Sequence, residues 1–141
     1  MIVWGRSLFL ALLLLGTLFV AVTMRDLPPL VATNFNGAGA PHAWMSQDRY
    51  LAWMAGFGIL LPMGVVGVIS LRERVARLGW WLGCVTLGFA LGIHYLILLA
   101  HRTRPPHLST PALLAVGGVF LAALAVWAAA ATRAMRPPPQ A

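Results

Sequence analysis

The chain has 141 residues, of which 60% are hydrophobic and only 9% are charged. A soluble domain carries about a quarter of its residues as charged side chains, so this composition and a mean hydropathy of +0.84 exclude an ordinary soluble protein. The net charge of +7 comes from arginine without lysine. Because these arginines lie at the ends of apolar runs, where cations anchor helices to headgroups, we expect no binding to nucleic acid.

Four apolar runs are long enough to cross a membrane, because about 20 helical residues span the roughly 30 Å of hydrocarbon. They cover residues 7–24, 51–71, 78–100 and 112–132. We predict an all-α integral membrane protein that forms one domain over residues 1–141, with four transmembrane helices in the lipid bilayer. An outer loop occupies residues 25–50 and a flexible tail occupies residues 133–141. No clear signal-peptidase site follows the first run, so we expect a retained signal anchor.

The placement of arginine predicts the orientation, since cytoplasmic loops carry an excess of basic residues. One set of helix ends holds more arginines than the other. The larger set is Arg6, Arg72, Arg74, Arg77, Arg133 and Arg136, and the smaller is Arg25, Arg49, Arg102 and Arg104. We therefore predict a bacterial inner-membrane protein with both termini in the cytoplasm, whose loop 25–50 faces the outside.

The outer loop is dense in residues that form turns. We predict an extended segment at 30–35 and a tight turn at Asn36-Gly37, followed by irregular chain past Gly39 and Pro41 to Trp44. A linker without structure would need neither the Val-Ala-Thr-Asn-Phe run nor the tryptophan. The pattern therefore indicates an ordered loop.

Several helix ends carry recognisable signals. Ser46 is suited to cap the second helix, with Asp48 complementing the helix dipole in its first turn. Thr110 followed by Pro111 predicts an N-cap and a proline at the first helical position. We also expect Pro62 to kink the second span, because proline lacks an amide donor and clashes with the preceding turn.

Small residues at a spacing of four recur on the third span. Gly79 with Gly83, and Gly88 with Gly92, form two pairs of the kind that lets helix backbones approach closely. We predict that these four glycines serve helix packing within the protein.

Four histidines are predicted to lie toward the outer side. His94 and His101 are seven residues apart, hence on one helix face and about 10 Å apart along the axis, and we expect them to be polar partners of the loop, with His94 bonding its backbone. A metal site built from these two, His42 and His107, with Met45 as a soft ligand, is the less favoured reading. No compact ligand pair supports it, so we predict no metal and no cofactor.

The sequence gives little support for catalysis or transport. No span contains Asp, Glu, Lys or a central Arg, so the usual charges of a proton or ion pathway are missing. Asp26, Asp48, Ser46 and Ser109 have no spacing that ties an acid, base or nucleophile together. The single cysteine, Cys84, lies inside an apolar run and is read as a core residue. We predict that the protein is not an enzyme.

The outer loop resembles the small membrane domain of unknown function found at the N-terminal end of SdpI-type immunity proteins, and also as a stand-alone protein. The matching segments are Leu27-Pro28, Val31 to Asn36, Gly39, Pro41 and Trp44-Met45-Ser46. The chain departs from that pattern at Asn34, where the family usually has His, and at His42-Ala43, where Asp or Asn and Gly are usual. The resemblance implies a related immunity role at the membrane, but the full immunity proteins have further spans.

Our leading functional hypothesis is a non-enzymatic immunity- or sensing-type module that presents an ordered outer loop to a peptide ligand or membrane-protein partner. The alternative is an accessory subunit of a larger membrane complex, docking through the third or fourth span. A metal-binding or transport role ranks lower. The loop residues expected to matter are Pro28, Thr33, Asn34, Phe35, Asn36, Gly39, Pro41, His42 and Trp44.

Overall fold

The computed structural model describes residues 2–72 and 75–136, and within them the chain is mostly helical. The helices are α1 (Ile2–Thr23), α2 (Gln47–Ser70), α3 (Ala76–Ala100) and α4 (Thr110–Met135). In this described part, four helices are long and apolar enough to cross a membrane, which confirms the predicted number. Arg74 and the end of the predicted tail lie outside the described residues.

The helix ends partly follow the sequence signals. Ser46 caps α2 and its side chain accepts a hydrogen bond from the Arg49 amide, with Asp48 in the first turn, as predicted. At α4 the predicted cap is wrong by one residue. Ser109 is the N-cap and accepts from Ala112, while Thr110 is already helical.

Pro62 disturbs α2 without ending it. The segment Ala55–Leu60 is π-helical, and the Leu61 amide bonds to the carbonyl of Gly56, five residues earlier. A proline cannot supply the amide that an α-helix needs, and transmembrane helices often respond with a local π adjustment. The kink expected at Pro62 therefore takes the form of a widened turn just before it.

The third helix is the centre of the arrangement. It packs against α1, against the second half of α2 and against α4. Of the most apolar stretch of α3, 39% is buried inside the protein, whereas no part of the most apolar stretch of α4 is buried. A tryptophan joins the two: the indole of Trp127 donates to the Leu78 carbonyl over 2.8 Å.

Glycines on α3 mark where the neighbours come close. A Cβ added at Gly83 would collide with Val66 and Phe9, one at Gly79 would lie 3.0 Å from Ile69, and one at Gly92 would lie 3.2 Å from Val116. A Cβ at Gly88 would meet nothing within 4 Å. Gly79 and Gly83 thus face α2, and Gly83 also faces α1. Gly92 faces α4, and Gly88 takes part in no close contact.

The structure is compatible with the predicted all-α class, and the loop between α1 and α2 adds a small sheet to it. This loop forms a two-stranded antiparallel sheet, β1 (Leu30–Phe35) and β2 (Pro41–Ser46). The extended segment at 30–35 is confirmed, but the irregular chain predicted past Gly39 and Pro41 to Trp44 is wrong, because Pro41–Ser46 form β2. Of those six residues only Trp44 strongly favours a strand, and the pairing with β1 overrides the weak local preference of the others.

The turn of this hairpin is wider than predicted. Asn36 donates its amide to the Ala40 carbonyl at 2.9 Å, and its side-chain oxygen accepts from the amides of Ala38 and Ala40. Gly39, with φ +80°, is the one residue in the described chain with a positive φ. A tight Asn-Gly turn would need positive φ at both Asn36 and Gly37, so the Asn36-Gly37 prediction is wrong in its geometry although its location is right.

We predict that Gly83→Ala destabilises the helix assembly and that Gly88→Ala does not. Both changes gain helix propensity, but only the methyl group at position 83 meets buried neighbours, and overpacking of this kind costs about 1–3 kcal/mol. Thermal unfolding in detergent micelles, followed by tryptophan fluorescence, should show a lower midpoint for Gly83→Ala alone. Equal midpoints for the two variants would contradict the close packing of α3 on α2.

Candidate functional site: a hairpin cap over the helix ends

The hairpin and its lead-in, residues 27–46, form what we call the hairpin cap. It connects the end of α1 to the start of α2 and lies beside the turn between α3 and α4. Two of its own residues, Val31 and Ala32, are fully buried, and Val31 joins an apolar cluster with Leu27, Tyr50 and Ile97. The cap is thus part of the core and does not hang free at its surface.

A glutamine fastens the cap to the first two helices. The amide nitrogen of the Gln47 side chain donates to the carbonyls of Met24 and Leu27, and the Gln47 backbone amide donates to Pro29. A single 3₁₀ turn, Met24–Asp26, follows α1, and the Met24 carbonyl also accepts the Leu27 amide, so Gln47 adds a second donor there. Sequence reasoning missed Gln47, which is half-buried, because a single glutamine at a helix start carries no pattern of its own.

His101 fastens β1 to the end of α3. Its Nε2 accepts the Ala32 amide at 3.0 Å, and its Nδ1 lies 2.8 Å from the Ile97 carbonyl. A backbone amide can only donate and a carbonyl can only accept, so this arrangement requires a neutral ring with its proton on Nδ1. The structure thus places His101 as a polar partner of the loop.

The turn of the hairpin is held by the segment between α3 and α4. The Leu108 amide donates to Gly39, the Nε2 of His107 lies 3.0 Å from the Ala38 carbonyl, and the Thr110 hydroxyl donates to Gly37. A side chain at position 39 would collide with the Leu108 carbonyl. Glycine is therefore needed at 39 for its positive φ and for this close approach.

His94 lies below the cap and does not bond the loop backbone, which corrects the expectation for this residue. It is fully buried between three helices. Its Nδ1 is 2.9 Å from the Tyr50 hydroxyl and its Nε2 is 2.9 Å from the Thr23 hydroxyl. Because the Thr23 hydroxyl donates to the Phe19 carbonyl, it must accept from Nε2, and Tyr50 then donates to Nδ1. The two ring nitrogens of His94 and the hydroxyls of Tyr50 and Thr23 therefore all have hydrogen-bond partners.

The remaining loop residues divide between an outward surface and a cleft. Thr33, Asn34 and Trp44 line a cleft of about 400 Å³ beside the first turns of α2. Phe35 packs inward against two apolar clusters. His42 is exposed, Pro41 is half-buried at the start of β2, and Pro28 is exposed at the edge of a different cavity.

Two β-bulges in the hairpin set the directions of the Thr33 and His42 side chains. Ala32 pairs with Trp44 and Asn34 with Ala43, so Thr33 is an extra residue on β1. The next pair joins Phe35 to Pro41, so His42 is an extra residue on β2. Bulges of this kind re-aim side chains and often lie next to functional sites, and nothing in the sequence alone revealed them.

The histidines are separated by their different partners. His101 and His107 bond the hairpin cap, His94 is buried among helices, and His42 is exposed. Within the described chain, no group of three His, Cys, Asp or Glu residues is arranged to hold a metal ion. Cys84 is buried in α3. The absence of a metal or cofactor stays a prediction from the sequence.

Comparison of the chain with protein-family models, with curated proteins and with solved structures finds no match. The resemblance of the loop to the N-terminal domain of SdpI-type proteins therefore stays a prediction.

We predict that His101→Ala loosens the cap and that His42→Ala, which changes an exposed histidine on the same hairpin, does not. The first substitution leaves the fully buried Ala32 amide without an acceptor, which costs about 1–3 kcal/mol. Hydrogen exchange in detergent should become faster for the peptide that covers residues 30–35 in His101→Ala only. Unchanged exchange in that variant would show that the His101 bond does not hold β1.

Proposed function

We propose that the protein is a non-enzymatic, multi-pass protein of a bacterial inner membrane that presents the hairpin cap outside the cell as an immunity- or sensing-type recognition surface. The observation that carries this proposal is the fastening of the cap on both sides. Gln47 binds it to the start of α2, and His101, His107 and Thr110 bind it to the turn between α3 and α4. A surface fixed in advance loses little conformational freedom when a partner binds.

The outward face of the cap has the composition of a binding surface. Leu30 is 60% exposed and Trp44 is 49% exposed, with the His42 ring exposed nearby in sequence. Aromatic residues are enriched at protein interfaces, and a peptide or membrane-protein partner at the outer face fits these side chains. No nucleic acid is involved in this proposal.

The orientation rests on the arginines. Arg6, Arg72, Arg77, Arg133 and Arg136 belong to the helix ends remote from the cap, and the cap side has Arg25, Arg49, Arg102 and Arg104. Adding Arg74, which precedes α3, the bias favours both termini in the cytoplasm. This supports a cap that faces the outside.

The reading as a non-enzyme is supported by how the polar groups of the cap are used. The ring nitrogens of His101 both serve structural hydrogen bonds, and so do those of His94. A general base needs a free nitrogen within reach of a reacting group. Both histidines instead serve to hold segments of backbone and helices together.

The predicted orientation can be measured with cysteine labelling. We expect Ala38→Cys, at the exposed hairpin turn, to react with a membrane-impermeant maleimide in intact cells whose outer membrane has been removed. Arg136→Cys, just after α4, should react only after the inner membrane is permeabilised, and Cys84, buried in α3, provides the low background. The reverse pattern would place the cap in the cytoplasm and refute an outward recognition role.

Partner capture tests the recognition role itself. A photo-crosslinking amino acid at His42, on the cap, should yield a specific adduct with a peptide or membrane protein in cells, whereas one at Leu121, exposed on α4, should yield only lipid adducts. Leu30→Ala, which changes an exposed side chain of the hairpin outside the cleft, should reduce the His42 adduct several-fold while leaving the amount of protein unchanged. A discrete protein adduct from position 121 and none from 42 would instead favour the accessory subunit that docks through its fourth span.

A further inference from the structure

The cleft beside the cap has one polar and one apolar end. Arg49, Thr33 and Asn34 contribute the polar part of its lining, and Trp53, Ile93 and Ile97 contribute an apolar part. We call the apolar part the deeper wall, because Trp53 and Ile93 lie farther from the ends of α2 and α3. Its volume of about 400 Å³ lies within the range of about 300–1,000 Å³ that is usual for small-molecule sites. The occupant must therefore be amphipathic.

The deeper wall reaches toward the hydrocarbon of the membrane. Ile93 lies seven residues before Ala100, the last residue of α3, which is about 10 Å at 1.5 Å per residue. Trp53 lies six residues into α2, a depth of about 9 Å. A ligand that fills the cleft thus extends from the headgroup level into the apolar layer.

An aromatic stripe on α2 continues the apolar wall. The ring of Trp53 stacks on that of Phe57 with centroids 5.1 Å apart, and on Tyr50 with centroids 6.4 Å apart. Trp53 and Phe57 are both substantially exposed. Such a stripe offers a flat surface along which an extended hydrocarbon chain can lie.

Arg49 is a cation at a position that does not favour the stability of α2. It lies in the first turn of α2, and the positive end of the helix dipole disfavours a cation there. Its backbone amide is used to cap the helix on Ser46, but its guanidinium has no hydrogen-bond partner within the described part of the chain. A guanidinium binds a phosphate strongly through charge-assisted, often bidentate hydrogen bonds.

We propose that this cleft binds one anionic phospholipid from the outer leaflet. The phosphate lies at Arg49, with the Thr33 hydroxyl and the Asn34 amide as further donors, and one acyl chain lies against Trp53 and Ile93. A zwitterionic headgroup would bring a second cation to Arg49 and is disfavoured. This inference goes beyond the recognition of a partner by the cap, and it holds whether or not such a partner exists; only the assignment to the outer leaflet rests on the orientation proposed above.

The test measures lipid binding to the whole chain by native mass spectrometry from a mild detergent. Phosphatidylglycerol and phosphatidylcholine with identical acyl chains are titrated against the natural sequence, Arg49→Gln and Arg102→Gln. Arg102 is an exposed arginine on the same side of the protein that does not line the cleft, so it provides the matched control. Ile93→Phe, which narrows the deep wall, serves as a second variant that keeps Arg49.

We expect the natural protein and Arg102→Gln to bind phosphatidylglycerol in preference to phosphatidylcholine. Arg49→Gln should weaken phosphatidylglycerol binding by about tenfold, the size of effect that loss of one charge-assisted hydrogen bond produces. Ile93→Phe should weaken binding of both lipids. Gel filtration and helical circular dichroism should be the same for all the proteins, which separates loss of binding from loss of fold.

Three results would overturn the proposal. The first is equal loss in Arg49→Gln and Arg102→Gln, which would indicate attraction to any surface arginine. The second is equal binding of the two lipids by the natural protein. The third is displacement of the lipid by inorganic phosphate alone, which would show that the acyl chain contributes nothing. None of these results bears on capture of a partner at His42, so the two proposals fail independently.

Discussion

The structure depends on one buried chain of hydrogen bonds, which runs from Tyr50 through His94 and Thr23 to the Phe19 carbonyl. His94 is fully buried and Tyr50 is 2% exposed. A buried imidazole without partners would cost several kcal/mol, so α1, α2 and α3 must hold their depth and rotation together to satisfy it. Ring contacts reinforce this, since Tyr50 stacks on His94 and Phe19 meets it edge-on, at centroid distances of 5.8 and 5.5 Å.

The hairpin cap is built directly on this chain. Tyr50 belongs to the apolar cluster that also contains Val31 of β1, Val20 near the end of α1, and Met24 and Leu27 just after α1. The three helices therefore form a fixed apolar surface on which β1 packs. His101, seven residues after His94 at the end of α3, holds β1 in place through its hydrogen bond to the Ala32 amide. Two layers of polar contacts, one inside the helices and one at their ends, explain how a loop of mostly small residues is held in one conformation.

The sequence predicts the parts of this arrangement that depend on local chemistry. The apolar runs predict the helices, Ser46 predicts the N-cap of α2, and the Val-Ala-Thr-Asn-Phe run predicts β1. The second strand could not be predicted, since its residues favour strand only when β1 is present as a partner. Likewise His94 and His101 share a helix face, and only the depth of the Tyr50 and Thr23 hydroxyls decides which histidine lies among helices and which bonds the loop.

Asn34 and His42 lie apart from the residues that build the hairpin cap. Asn34 lines the cleft and His42 is the extra, exposed residue of β2. The positions that build the cap are different: Val31 fills the core, Asn36 closes the turn, and Gly39 makes the close approach to Leu108. The residues that shape the cap are therefore different from these two, which lie at its surface and in the cleft. That division is what a recognition surface requires, because exchanges at Asn34 or His42 change what is bound without disturbing the hydrogen bonds that hold the hairpin.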